Sequence, residues 1–285
     1  MKPQWLKIKL KREEGFDKID ATLKKYDLHT VCQEAHCPNI SECWNGGTAT
    51  FMIMGDICTR GCRFCAVRTG RPKALDSDEP RKLARAISEW GLDYIVITSV
   101  DRDDLPDQGA QHFAECISEV RKENPDILIE VLIPDFRGDE DLIKIIVEAK
   151  PDVLAHNIET VRRLQNVRDR RANYEQSLSV LKLAKELGIK YTKSSLMLGL
   201  GETDEEVIEA MQDLRTIGVD IITFGQYLRP SNKHVQISEY VHPDKFEYFK
   251  KLADSMGFLY CASGPFVRSS YRAGEFFIKG MLNKS

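Results

Sequence analysis

No apolar run in these 285 residues approaches the roughly 18 that a membrane-spanning helix requires. A surplus of one charge is missing too. Lys and Arg number 41 against 44 Asp and Glu, a formal charge of −3. That balance gives no argument for nucleic acid or an anionic membrane as partner. Low-complexity segments, a clear linker and any internal repeat beyond strand–helix alternation are absent. The opening, Met1-Lys2-Pro3-Gln4-Trp5, lacks the apolar core of a secretory signal and the Arg/Ser-rich look of a transit peptide. The expectation is a globular chain in a reducing cytoplasm, long enough for one large α/β domain.

Cysteine is what the chain does have. Eight Cys in a chain read as non-secreted point to metal or catalysis rather than disulfides. Three of them form the run Cys58-Thr59-Arg60-Gly61-Cys62-Arg63-Phe64-Cys65, directly after the strand-like stretch 51–57. Soft thiolates this close suit zinc or an iron–sulfur cluster. Zinc ribbons use paired C-x2-C units, and the run holds one, Cys62 and Cys65. A three-cysteine loop fits a [4Fe–4S] cluster with one iron left open to a substrate. The spacing, with Phe64 before the last Cys, resembles that of the radical S-adenosylmethionine enzymes. A second triplet, Cys32-x4-Cys37-x5-Cys43, lies upstream in a stretch that Pro38, Asn39 and Gly46-Gly47 make irregular. A structural zinc protein is the bland competitor, but structural zinc sites are closed by four ligands, and each triplet supplies three.

From residue 51 onward strands and helices alternate. Strands are expected at 51–57, 93–98, 127–133, 153–158, 190–197 and 220–226, rich in Ile, Val, Leu and Met as strands buried on both faces should be. Helices are expected near 80–90, 108–123, 139–149, 173–187, 204–217 and 243–256, with Thr203-x-x-Glu206 as a capping box and Gly188 and Gly218 as stops. Six such units predict an α/β fold, a partial (β/α)6 TIM-type barrel of parallel strands. Its reactive groups should sit at the C-terminal strand ends. A short helix at Ile19–Tyr26 and a strand at Phe258–Ala262 complete the expected elements.

The strand ends offer polar groups whose bland readings are equally available. Thr98 or Ser99, with Asp101, Asp103 and Asp104, read as a binding rim or as a polar loop. Asn157 and Glu159 offer an amide and an acceptor for ribose hydroxyls. The run Arg168-Asp169-Arg170-Arg171 could hold a carboxylate or be solvated. Lys193 precedes the Gly-rich turn at Gly199 and Gly201.

The two triplets and a C-terminal Arg268-Ser269-Ser270-Tyr271 together resemble the lipoyl synthase family. The resemblance spans nearly the whole chain, including Cys37-Pro38-Asn39-Ile40, Gly225-Gln226-Tyr227-Leu228 and Gly264-Pro265. A biotin-synthase-like enzyme would share the Cys58 run but lack the early triplet and the tail motif. Ser195 stands where the family pattern has a glycine. The resemblance implies three parts in one structural unit: an N-terminal extension 1–50, a barrel 51–257 and a C-terminal extension 258–285, the extensions covering the open cluster-bearing face. It implies two [4Fe–4S] clusters. Cys58, Cys62 and Cys65 would hold the one that binds S-adenosylmethionine. Cys32, Cys37, Cys43 and Ser270 would hold an auxiliary one that donates sulfur. Thr98 or Ser99, Asn157, Glu159, Arg170 and Lys193 would contact S-adenosylmethionine, two of which are consumed per lipoyl group, and Arg268 would position the serine or gate its iron. The implied substrate is an octanoyl-lysine on a lipoyl carrier domain, such as a 2-oxoacid dehydrogenase E2 subunit or the glycine cleavage H protein. A ferredoxin or flavodoxin would supply electrons, and an iron–sulfur carrier would rebuild the auxiliary cluster. Cys116 and Cys261 read as core. The basic arm (Lys2, Lys7, Lys9, Lys11, Arg12) reads as a solvated edge or as a steering surface for an acidic carrier.

Overall fold

The computed structural model describes residues 3–7, 14–45, 49–92, 94–270 and 280. Lys2, Lys9, Lys11 and Arg12 of the basic arm, with Gly46, Gly47, Thr48, Asp93 and Tyr271, lie outside those residues. The chain divides into two compact units, each carrying half of the strand–helix repeat.

One unit comprises Lys9–Gly61 and Ala66–Val153. It opens with α1 (Glu14–Tyr26), which begins at Glu14 rather than Ile19 and buries Phe16, Ile19 and Leu23 on one face. Glu14 and Asp17 in its first turn and Lys24 and Lys25 in its last complement the helix dipole. Next come β1 (His29–Thr30), α2 (Val31–Glu34), α3 (Ile40–Asn45) and β2 (Thr50–Ile53). The early cysteine stretch is therefore two short helices rather than irregular loop. Thr30 starts the first by accepting from Gln33 N, and Asn39 O starts the second by taking Cys43 N.

The rest of this unit is β3 (Ile57–Cys58), β4 (Arg68–Thr69), α4 (Glu79–Trp90), β5 (Tyr94–Ser99), α5 (Ala110–Glu123), β6 (Leu128–Leu132) and α6 (Glu140–Glu148). Strands β2, β5 and β6 run parallel, Phe51 opposite Ile97 and Val96 opposite Glu130. Strand β1 adds an antiparallel edge, His29 opposite Met52. The single strand expected at 51–57 is broken. Met54 and Gly55 take φ of 69° and 88°, which turns the chain out of the ladder before Cys58.

The other unit comprises Met1–Ile8, Cys62–Cys65 and Leu154–Ser285. Its elements are β7 (Val153–Ala155), α7 (Tyr174–Glu186), β8 (Tyr191–Leu198), α8 (Asp204–Thr216), β9 (Ile221–Gln226), α9 (Pro243–Ser255) and β10 (Tyr260–Gly264). Strand β7 is shorter than the expected 153–158, with Glu159 returning as a parallel bridge to Leu196. Strands β8, β9 and β10 are parallel, and β10 is the strand expected at Phe258–Ala262, shifted two residues onward. The capping box forms between Thr203 and Glu206, and Gly188 and Gly218 end their helices with φ of 102° and 85°. Ile158, Leu196, Met211, Phe224, Phe246 and Phe249 make the core. Lys7 of the basic arm follows a 3-10 turn, Gln4–Leu6, that buries Leu6. Among the described residues, α4 to α9 follow β2 and β5 to β9 as six βα units, three per unit. Among the described residues no helix is long and apolar enough to cross a membrane.

Candidate active site

Cys58 ends β3, and its Sγ accepts from the amides of Arg60 and Asp101, both at 3.4 Å. The same sulfur lies 3.5 Å from Asp101 Oδ2. Arg60 turns inward and is 5% exposed. Its Nε donates to Asp103 Oδ2 at 2.9 Å, while Nη1 and Nη2 donate to the two oxygens of Asp135 at 2.7 Å each. Asp103 follows β5 and Asp135 follows β6. One planar fork thus ties the cysteine loop to two strand-end loops. Burial opposes the charge on Asp103, but its hydrogen bonds from Arg60 and Thr59 bring the carboxyl down to about 2. Asp101 is pushed up to about 6, chiefly by burial, with Arg60 opposing.

The early triplet lies on the two short helices and the turn between them. Cys32 is in α2 and Cys43 in α3, both buried, and Cys37 N donates to Cys32 O at 3.0 Å in the connecting turn. Burial pushes the Cys32 thiol up to about 12, and the neighbouring Cys37 pushes the same way. With its proton kept, Cys32 is neutral, and a metal bound there would have to displace that proton. Helix α3 is braced by α1. A Cβ on Gly15 would fall 2.8 Å from Asn45 O, so glycine is what lets the two backbones close up.

At the end of β5, Thr98 Oγ1 donates to Leu132 O at 2.9 Å, whereas Ser99 Oγ is buried without a hydrogen-bond partner. Of the pair, Ser99 is the one open to a ligand.

In the other unit the Cys62–Cys65 segment is held by backbone. Arg63 N donates to Val167 O at 2.7 Å, Val235 N to Arg63 O at 3.0 Å, and Asp169 N to Cys62 Sγ at 3.3 Å. His234 Nε2 is 2.9 Å from Cys65 O. A carbonyl only accepts, so Nε2 carries the proton and Nδ1 accepts from Ser231 Oγ. Beyond β7, Asn157 donates to Glu159 Oε1 at 3.2 Å and keeps a buried Oδ1 with no partner. Burial raises the Glu159 carboxyl, and Arg168 pulls it back. Arg168 is buried and donates to Ser177 Oγ at 2.8 Å, whose hydroxyl also meets His156 Nε2. Arg170 is exposed on the following turn. Lys193 is buried on β8, and His156 N donates to its carbonyl. Ser195 fits an ordinary strand position, its hydroxyl paired with that of Thr223 at 2.8 Å.

The tail docks on β9. Gly264 pairs beside Gly225, and a Cβ on Gly225 would stand 2.0 Å from Val267 O. Arg268 Nη1 donates to that carbonyl at 2.6 Å, and Ser269 and Ser270 follow, half-buried.

A family profile described as the Radical SAM superfamily matches residues 52–214. The chain is 57% identical to a lipoyl synthase of Halobacterium salinarum over 99% of its own length and 93% of that protein's. The chain belongs to the lipoyl synthase family. A lipoyl synthase of Myxococcus xanthus is 56% identical over 99% of this chain and 96% of that one. The fold is likewise that of the hydrogenase maturase HydG from Carboxydothermus hydrogenoformans, at 16% identity and a TM-score of 0.57, covering 94% of this chain and 78% of that one. As a lipoyl synthase family member the chain is a radical S-adenosylmethionine sulfurtransferase, and family membership carries an iron–sulfur cluster and S-adenosylmethionine as cofactors.

The donor set fits those groups. None of the eight cysteines is in a disulfide, backbone amides meet the sulfurs of Cys58 and Cys62, and Cys32 lies beside Cys37. Cys116 and Cys261 are buried, as expected for core. Reading the sequence missed several residues that build the site: Arg60, Asp135, Gly15 and His234. A charged side chain inside a tight cysteine loop was a usable signal for Arg60. Nothing local to Gly15 or His234 announced them, since their partners are distant in the chain.

Proposed function

We propose that Cys58, Cys62 and Cys65 hold the S-adenosylmethionine-binding [4Fe–4S] cluster and that Cys32, Cys37, Cys43 and Ser270 hold a second, auxiliary one. The substrate is an octanoyl-lysine on a lipoyl carrier domain, with sulfur inserted at C6 and C8. The bound groups supply the radical and the sulfide. An unactivated C–H bond offers no acidic proton and no leaving group, which is why such groups are needed.

The chain's own residues prepare the ground. Arg60 fixes the Cys58 loop before any metal arrives. Ser99 and Asn157 present buried polar atoms to S-adenosylmethionine, and Glu159 with Arg168 presents an acceptor and a cation. Lys193 stands on the neighbouring strand as a further contact, and Arg170 reaches from the exposed turn. Arg268 donates to the Val267 carbonyl and so sets the backbone of the tail that carries Ser270. A hydroxyl is a harder, weaker partner for iron than thiolate, which suits a cluster that is to be consumed. We read 1–50 and 258–285 as extensions serving the barrel of 51–257. The carriers proposed are E2 subunits and the glycine cleavage H protein. A ferredoxin or flavodoxin serves as donor, and an iron–sulfur carrier provides repair, in a reducing cytoplasm.

The observation that carries this reading is the pair of separate thiol triplets, one on two short helices and the turn between them, the other beginning at Cys58 beside the Arg60 clamp. The test is a Cys32→Ala, Cys37→Ala, Cys43→Ala triple variant, reconstituted without oxygen and given S-adenosylmethionine, reductant and an octanoyl-lysyl peptide. It should lose about half its iron, still form 5′-deoxyadenosine, and transfer no sulfur. Sulfur arriving on the octanoyl chain would overturn the assignment.

A further inference from the structure

The turn that leaves β2 for the cysteine loop is strained and held from several sides. Met54 takes a φ of 69°, in the left-handed region that side chains avoid. Its amide has left the ladder and donates to the Glu79 carboxylate, at 2.9 Å to Oε2 and 3.1 Å to Oε1. Glu79 opens α4, where the helix dipole favours its charge. Its Oε2 also meets His112 Nε2, from α5, at 2.6 Å. Both side chains are buried, at 8% and 6% exposure. The Met54 side chain seats on Gly109, just before α5, where a Cβ would lie 2.3 Å from Met54 Sδ. Gly109 is itself left-handed, with φ of 84°.

Nothing in the chemistry derived so far uses Glu79 or His112. With Cys116 they bring three ligand-type atoms within 4.8 Å of one another. Both Glu79 oxygens are already engaged by Met54 and His112, so the group is a closed hydrogen-bonded clamp rather than a cation site. What the clamp grips is the backbone four residues ahead of Cys58. Backbone strain persists only where its surroundings over-determine it, and such places gather at functional sites.

We propose that Glu79, backed by His112, is a positioning residue for the S-adenosylmethionine-binding cluster: it holds Met54 in its left-handed turn and so sets where Cys58 is delivered. The proposal rests on the reading of Cys58 as a cluster ligand. Substituting partners that orient ligands typically weakens metal affinity by about 10- to 100-fold, and Glu79 acts at one remove, through the chain.

The experiment uses the full-length chain in the Cys32→Ala, Cys37→Ala, Cys43→Ala background, so that only the Cys58 cluster reports. Cluster loss to an iron chelator is followed by absorbance, and the reduced cluster is examined by EPR with and without S-adenosylmethionine. Glu79→Ala should lose the cluster about tenfold faster and alter the EPR signal. Glu79→Gln, which keeps an oxygen for the Met54 amide, should restore the parent rate to within about twofold. Cys116→Ala, in the same core but outside the hydrogen-bond chain, should lower the melting temperature without changing the rate of cluster loss. Equal rates for Glu79→Ala and Cys116→Ala, or a parental rate for Glu79→Ala, would overturn the proposal.

A Met54→Gly, Glu79→Ala cycle on thermal stability keeps the question open to refutation should Glu79→Ala fold poorly. Glycine removes the penalty at φ of 69°, so the cost of losing Glu79 should shrink in that background. Additive losses would count against the clamp. Cys58→Ala separates the two readings: retained iron there would refute the ligand assignment alone, while the stability cycle still judges the clamp.

Discussion

Gly225 lies directly beneath the carbonyl of Val267, with 2.0 Å between that oxygen and the place a Cβ would take. The tail that carries Arg268 and Ser270 can reach β9 only because residue 225 has no side chain. Gly225→Ala should therefore lift the tail while the core tolerates one methyl, at about 1–3 kcal/mol. We expect 5′-deoxyadenosine formation to persist and sulfur transfer to fall at least tenfold, with faster limited proteolysis after residue 264. Unchanged proteolysis together with full sulfur transfer would show that the tail does not depend on this contact.

Arg60 gives the second prediction. Removing one partner of a buried ion pair typically costs about 3–5 kcal/mol, because the other charges are left unpaired. Arg60→Ala should lower stability by that order, and Arg60→Lys by less but still clearly, since an ammonium cannot span Asp103 and Asp135 bidentately. Adding Asp135→Asn to Arg60→Ala should recover part of the loss. Chemical denaturation of the metal-free chain measures all three, and additivity of the two substitutions would refute the clamp.

The two arginines of the 168–171 run should separate in S-adenosylmethionine binding. Arg168 is buried beside Glu159, whereas Arg170 faces outward. Arg168→Gln should weaken binding by tenfold or more, and Arg170→Gln by less. Equilibrium binding to the reduced, reconstituted protein reads the difference, and the reverse order would return the role to Arg170.

Cys261, in the core beside β9, provides a pH test. Burial pushes its thiol from an ordinary 9.0 up to about 12. Between those values the unfolded chain releases a proton that the folded chain keeps, so stability falls as pH rises from about 9 toward 12. A Cys261→Ala variant should show a shallower decline over that window. Alkylation of the native metal-free chain at pH 8 should also spare Cys261 and Cys116 while modifying the less buried Cys58, Cys62 and Cys65.

Much of this was legible in the residues. The six βα units follow from apolar runs of strand length between amphipathic stretches, and Thr203 and Glu206 mark a helix start by local chemistry alone. The cysteine triplets follow from spacing. What stayed hidden depends on distant pairing. Met54 breaks a continuous apolar run because Glu79, 25 residues on, takes its amide. Arg168 and Arg170 look alike in the chain, and only burial against Ser177 distinguishes them. Ser195 departs from the family pattern's glycine, and only the neighbouring strand shows how it is accommodated, its hydroxyl paired with that of Thr223.

The antiparallel pairing of His29 and Thr30 with Met52 and Phe51 gives the segment leading into Cys32 a protective duty. An unpaired strand border is a template for edge-to-edge aggregation, and β1 occupies the flank of β2 that β5 does not. Chains that lose this short strand through truncation or an errant fold would expose that border, so solubility during synthesis depends on the same residues that prepare the early thiol site.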